Sequence, residues 1–312
     1  MILITDNPKF ADKFFRTKPA WQSIYLTAIS DEIMPLAERL LKNETIYIAR
    51  YSSRHLWQYM FLVEYAFESQ FDVLTEFSKA SISIPRNTMC IAGSGKNFHG
   101  FKDRGWVSEM GNLHISAYFK PSIEIRNFGA AFTLLPAVSA LEAIDSLNNF
   151  SETASVKWVN DIMVGSAKVG GILAYSQASG TIITDVVIGV GLNVEKKPVL
   201  EPTPFVPEVG SLIDYAISKR ECTRVNVLDE LLRALDRNYK KVTQGDYKDL
   251  LNSYTTRSTI IGREVRIMAD EPGDTAKEIA RGVVSAIGDN LEIRLEGRDE
   301  PLSKGRLIIL PK

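Results

Sequence analysis

The stretch KWVNDIMVGSAKVGGIL, Lys157 to Leu173, decides how this chain is read. VKWVNDIMV and AKVGGILAYS have the apolar, β-branched character of strands, with a turn at Gly165-Ser166 between them. After a further turn at SQASG, TIITDVVIGVGLNV predicts a long third strand, and the whole reads as an antiparallel meander. Lys157, Asn160, Asp161 and Lys168 interrupt this apolar text, and an unpaired ammonium on an apolar sheet face is costly. The lysines must reach solvent or meet a bound anion, and one ligand is the simpler common solution. The strand period of two sets Lys157, Val159 and Asp161 against Trp158 and Asn160, so a ligand touched by all of them requires a twist or bulge. Gly170 and Gly171, then Gly189 and Gly191 with Asn193, offer bare backbone where a ligand can come close.

Outward from this centre, Asn127 to Leu147 repeats Phe128, Phe132, Leu135, Val138, Leu141 and Ile144 at helical spacing, with Pro136 as an expected kink. GNLHISAYFKP alternates as a strand and stops at Pro121, while Cys90 to Trp106, rich in glycine and cations, predicts a loop. YIARYSSRHLWQYMFLVEYAF predicts a strand that gives way to a helix through Leu56, Tyr59, Met60 and Val63, with Ser52 and Ser53 at the changeover. Ser30 and Asp31 suit the N-cap of a helix over SDEIMPLAERLLKN. Downstream, the proline-rich EKKPVLEPTPFVPEVGSL predicts a surface connection, and Val225 to Val242 a helix capped by Thr223. Beyond Ser258 the short alternating strands VRIM, ARGVVSAI, NLEIRL and GRLIIL predict a small barrel.

The 312 residues suffice for one large core and a small appended domain. Apolar and charged fractions of 45% and 24% are those of a globular protein, and no apolar run approaches a membrane span. The N-terminus MILITDNPKF lacks the pattern of a secretory signal, and two cysteines, Cys90 and Cys222, argue against a disulfide framework or thiolate zinc site and fit the cytoplasm. A net charge of −1 gives no reason to expect nucleic acid, so any cationic function must be local.

At these spacings K-W-V-N-D, K-V-G-G-I-L and G-V-G-L-N-V resemble the signature of the biotin protein ligases, with Val159 where proline is usual. TMCIA, W-x-S followed by G-N-L-H-I-S, and the terminal S-K-G-R-L fall in the family's order, so the similarity extends over roughly residues 47 to 312. The resemblance implies an α+β fold: a mixed, largely antiparallel sheet with flanking helices, like that of class II synthetases, plus a small C-terminal SH3-like β-barrel. It divides the chain into an N-terminal extension (1–46), a catalytic domain (47–257) and the barrel (258–312). The implied activity joins biotin to ATP as biotinyl-adenylate, releases pyrophosphate, and passes the acyl group to a lysine of a biotin carboxyl carrier domain. Biotin, ATP and Mg²⁺ are the implied small molecules, and a homodimer is compatible with the family.

By position, the resemblance makes Lys168 the catalytic lysine, bridging biotin carboxylate and α-phosphate. Lys157, Asn160 and Asp161 would orient phosphate and metal, Gly171 and Gly189 would pack along biotin, Asn193 would shape the nucleotide end, and Trp106 would lie against adenine. In the loop, FHGFKDR stands where a glycine- and arginine-rich lid is usual: Gly100 and Arg104 match, whereas His99 and Phe101 replace arginines and Gly95 a glutamine. Ser52-Ser53-Arg54 is placed at the family's Ser-Thr-Asn motif for the ureido end of biotin. Three alternatives remain open at this stage: a lipoate or octanoate ligase or transferase, faintly suggested by G-S-G-K-N-F-H; an acyltransferase using Cys90; and a non-catalytic biotin or nucleotide sensor.

Overall fold

A computed structural model describes residues 1–124, 128–147, 149–150, 153–270 and 277–311. Asn127, at the start of the expected long helix, lies outside the described residues. The strands are β1 (Ile2–Thr5), β2 (Gln22–Tyr25), β3 (Thr45–Arg50), β4 (Tyr59–Ala66), β5 (Thr88–Gly95), β6 (Leu113–Phe119), β7 (Ile123–Glu124), β8 (Ala154–Lys157), β9 (Asp161–Val164), β10 (Ala167–Ser179), β11 (Ile182–Leu192), β12 (Glu264–Met268), β13 (Glu278–Ile287), β14 (Ile293–Leu295) and β15 (Arg306–Ile309). The helices are α1 (Pro8–Ala11), α2 (Met34–Leu40), α3 (Gln70–Lys79), α4 (Phe128–Ser146), α5 (Leu212–Tyr215), α6 (Arg224–Thr243) and α7 (Tyr247–Thr256). The large sheet runs β2-β3-β1-β4-β5-β6-β11-β10-β9-β8, with β7 beside β11. Only the β1–β4 and β4–β5 neighbours are parallel among its pairs, so the expected α+β class with a mixed, largely antiparallel sheet is what the chain forms.

Both faces of this sheet are covered, which explains one misreading. Met60 and Leu62 of β4 join the core under α4 and α6, whereas Phe61 and Val63 join the one under α2 and α3. A strand buried on both sides shows no polar alternation, so the helix expected through Leu56–Val63 is strand β4 instead. For the same reason Cys90 to Gly95 belong to β5 rather than to the loop. The helix expected to be capped by Ser30 and Asp31 starts later, at Met34, with Pro35 in its first turn. Thr223 does cap α6, accepting a hydrogen bond from the Asn226 N–H at 3.3 Å. Residues 1–46, expected as an extension, supply β1 and β2, and β1 sits inside the sheet between β3 and β4.

The opening stretch forms β8, β9 and β10, so VKWVNDIMV is a tight hairpin rather than one strand. Lys157 and Asp161 become cross-strand partners on one face. A bulge at Val169 in β10 adds the second irregularity: Lys168 pairs with Met163, and Gly170 with the adjacent Ile162. Lys168 and Gly171, three residues apart, therefore share a face that a regular strand would deny them.

Gly170 marks a close approach of β10 to β11: a Cβ there would lie 2.7 Å from the Gly191 carbonyl oxygen and 2.6 Å from Leu192 Cδ2. Gly170→Ala is expected to cost about 1–3 kcal/mol, the usual penalty for overpacking, and to lower Tm by several degrees in a thermal unfolding scan. Beyond Ser258, β12 to β15 form a small antiparallel sheet in the order β14-β13-β12-β15. The Trp158 indole N–H ties the β8–β9 turn to it by donating to the Leu291 carbonyl at 2.7 Å. No described helix is long and apolar enough to cross a membrane.

Candidate active site

A cavity of about 600 Å³ lies over the start of β10, the end of β11 and the start of β6. Its floor is bare backbone. Gly171, Gly191 and His114 are register partners across β10, β11 and β6. The Trp106 ring lies on the two glycines, its Cζ2 only 2.7 Å from where a Cβ on Gly191 would stand and its Cζ3 3.4 Å from one on Gly171. Two residues along β11, Gly189 is covered by Phe71, whose Cδ2 would be 3.2 Å from an added Cβ. The cavity thus has an indole end and a phenyl end on one strand.

Cations crowd the cavity, with Lys168 at its indole end. Lys102, Arg104, Lys157, Lys168, Lys304 and Arg306 line the cavity against Asp161, Glu201 and Asp270, in a chain whose net charge is −1. Lys168 Nζ pairs with Asp161 Oδ1 at 2.5 Å and stands 5.9 Å from the centroid of the Trp106 ring. Lys157 is buried, and its ammonium donates to the Phe205 carbonyl. Burial pushes the Lys157 pKa down; Asp161 opposes this, while Lys168, Arg306 and Arg104 reinforce it. The ammonium groups repel one another in a partly dry site, a tension that a bound polyanion relieves.

Other expected site residues do structural work as well. Asn160 donates its amide N–H to the Ile172 carbonyl at 2.7 Å, clamping the β8–β9 turn onto β10. Asn193 is buried, and its amide donates to the Gly210 carbonyl at 3.0 Å, while its Oδ1 has no hydrogen-bond partner. Together with the Lys168 backbone, which bridges Val209, this draws the proline-rich segment over the cavity. That segment, expected to be only a surface connection, supplies Phe205, and the Arg306 guanidinium stacks on its ring at 3.4 Å.

The loop after β5 closes the third side. The Gly100 N–H donates to the Arg104 carbonyl at 2.6 Å, and the Arg104 side chain donates to the Phe101 carbonyl at 2.7 Å. His99 Nε2 meets Asp72 Oδ1 of α3 at 2.8 Å, and Lys102 pairs with Asp270, just past β12, at 3.0 Å. Burial disfavours charge on His99, but Asp72, the Gly100 carbonyl and Asp103 outweigh it and raise its pKa. The loop is therefore latched to two different elements by His99, which stands at one of the positions read as usually arginine, and by Lys102.

Lys157, Asn160, Asp161, Lys168, Gly171, Gly189, Asn193, Trp106, Gly100 and Arg104 all line this one cavity. Ser52 and Ser53 do not. They precede the first residue of β4, where Tyr59 pairs with Thr88, whereas the cavity lies past the other end, where Ala66 pairs with Gly95. The Ser53 hydroxyl accepts the His55 N–H at 3.1 Å, and His55 is tied to Asp236 of α6 at 2.6 Å. Past that other end of β4, Ser69 lines the cavity and caps α3 by accepting the Asp72 N–H at 3.3 Å. Its Ser-x-x-Asp spacing ahead of Val73, Leu74 and Phe77 was the available signal. Cys90 is fully buried and burial pushes its thiol up, which removes it as a nucleophile.

The fold and cavity define a mixed-sheet α+β chain with a cationic small-molecule site at its strand ends. Residues 91–193, which hold nearly all of these side chains, match the model of the Biotin/lipoate A/B protein ligase family. The chain is 27% identical over 242 residues to the bifunctional ligase/repressor BirA of Bacillus subtilis (strain 168), covering 71% of this chain and 72% of that protein. It is 27% identical over 208 residues to the biotin–[acetyl-CoA-carboxylase] ligase of Paracoccus denitrificans, covering 64% of this chain and 79% of that one. The structure of biotin protein ligase from Aquifex aeolicus in complex with biotin and ATP superposes with a TM-score of 0.60 at 18% identity, over 82% of this chain and 100% of that one, and so shares the fold. The resemblance to the biotin protein ligases read from the sequence stands.

Proposed function

We propose that this protein is an ATP-dependent ligase that activates the carboxylate of biotin as an acyl-adenylate and transfers the acyl group to a lysine of a biotin carboxyl carrier domain. The observation that carries this reading is the cation cluster around the Trp106–glycine floor. In the first step a carboxylate oxygen attacks the α-phosphorus, the bond to the β-phosphate breaks, and pyrophosphate leaves. In the second the lysine amine attacks the acyl carbon, AMP leaves, and the amine gives up a proton. Both steps place negative charge on α-phosphate oxygens beside a carboxyl group, which is where a positioned ammonium lowers the barrier.

Lys168 is assigned that position, at the boundary between the phenyl end, suited to the acid, and the indole end, suited to adenine. Lys157, freed from the Phe205 carbonyl, and Arg104 are assigned to the phosphates, with Gly100 in the closing loop. Asn160 and Asn193 fix the turn and the proline-rich wall, and Gly171 and Gly189 leave room for the acid. Among the described residues no cluster of three or more His, Cys, Asp or Glu could hold a resident metal. Asp161, a single carboxylate shared with Lys168, fits an Mg²⁺ that is otherwise held by triphosphate oxygens and water, and such an ion would neutralise phosphate charge. The relatives named above as biotin ligases support biotin as the acid, while the matched family model also covers lipoate ligases.

The test is pyrophosphate exchange into ATP by the pure protein, with biotin, lipoate or octanoate offered separately. Biotin alone should drive exchange. Exchange with lipoate or octanoate instead would reassign the acid, and none with any acid would reduce the protein to a binder. Incorporation of labelled biotin into a purified carrier domain then tests the acceptor.

A further inference from the structure

The Trp106 ring is held flat by more than its contact with glycine. Its only polar handle, the Nε1–H, donates to His114 Nδ1 at 3.3 Å. On the far side of the imidazole, His114 Nε2 faces the Glu109 carbonyl at 3.3 Å. A carbonyl can only accept, so Nε2 carries the proton and Nδ1 is the acceptor. His114 is 3% exposed, and Phe98 packs edge-on against it with centroids 5.6 Å apart. Burial pushes its pKa down to about 4, so the ring is neutral over the working range. Gly171, Gly191 and His114 are successive partners across three strands, so the ring lies on the two glycines with its acceptor at the end of the row that the N–H reaches.

We infer that His114 is a positioning residue for the nucleotide: by accepting the indole N–H it fixes the rotation of Trp106, so that the ring lies along the glycine floor and offers its face to the base. Glycines alone would let the ring slide or flip, because a bare backbone holds an aromatic face without choosing its direction. The hydrogen bond selects one orientation before ATP arrives, which lowers the ordering cost of binding. This inference rests on the reading of the cavity as an acyl-nucleotide site.

The experiment follows the indole N–H resonances of the ¹⁵N-tryptophan-labelled full chain, that of Trp106 being identified by its loss in Trp106→Phe, together with ATP and biotin affinities by calorimetry. His114→Ala should shift the Trp106 resonance and weaken ATP binding about five- to ten-fold, as loss of one neutral hydrogen bond does, while biotin binding changes less than two-fold. His114→Asn, whose Oδ1 can replace Nδ1 as acceptor, should restore most of both. In a Trp106→Ala background His114→Ala should add nothing further to the loss of ATP affinity. An unmoved resonance in His114→Ala overturns the inference, as does equal weakening of both ligands or a full additive loss in the double variant. If the wild-type chain binds no ATP, the site reading fails and takes the nucleotide half of this inference with it, a result that is distinct from an unmoved resonance.

Discussion

Lys168→Ala is expected to lower the rate of biotin-dependent pyrophosphate exchange by about 10³-fold, the scale on which one positioned charge stabilises a developing oxyanion. The expectation follows from placement. The Val169 bulge turns Lys168 onto the cavity face, its backbone is pinned to the proline-rich segment through Val209, and its ammonium stands between Asp161 and the Trp106 ring. Removing it takes away a cation at the point where acid and nucleotide ends meet, and no other lysine on β10 can replace it. Asp161 would lose its direct partner, a cost of about 1–3 kcal/mol for a group that is mostly buried. Lys157 remains near enough to favour the Asp161 charge, so the fold should survive. Lys168→Arg separates charge from shape: a fork in place of a point charge should recover stability more than rate. Exchange at the wild-type rate in a folded Lys168→Ala protein would remove the assignment.

What was legible in the sequence and what was not differ for physical reasons. The β10 and β11 strands and the convergence of their lysines and glycines could be read because strand period and side-chain cost act locally. One irregularity within 157–161 was foreseeable from the shared ligand, but not that it would be a hairpin turn at 158–160, nor that β10 would bulge at Val169. β4 was hidden by its burial on two faces, which erases the alternation that marks a strand. The place of β1 inside the sheet depends on pairing with residues 45–50 and 59–66, and no window around Ile2–Thr5 contains that information. Order along the chain places Ser52 and Ser53 at the Ser-Thr-Asn motif of the family they resemble. Order fixes neither which end of a strand a residue occupies nor that Ser69, past the other end of β4, faces the cavity. Phe205 and Arg306 come from a proline-rich connection and the last strand, and they meet only in the fold.

Trp106→Ala is expected to raise the ATP requirement about 10- to 100-fold while changing the biotin requirement by less than three-fold, since stacking of one base on an aromatic ring is worth about 1–3 kcal/mol. The asymmetry is the informative part. The ring covers Gly171 and Gly191 at the cationic end, whereas Phe71 covers Gly189 at the other, and the two side chains come from different elements. A ligand group at the phenyl end does not need the indole, so truncation should be felt at the nucleotide end alone. A generic loss of packing would act on both requirements, because the same β11 backbone carries both ends. Gly191→Val offers an independent route to the same result: its side chain would enter the space that Trp106 Cζ2 and Cε2 occupy, 2.7 and 2.8 Å from the new Cβ, and lift the ring without deleting it. Initial rates over a matrix of ATP and biotin concentrations measure both variants. If biotin's requirement rises more than ATP's in each, the indole lies against the acid and the polarity assigned to the cavity is reversed, whereas an equal rise in both marks a generic loss of packing.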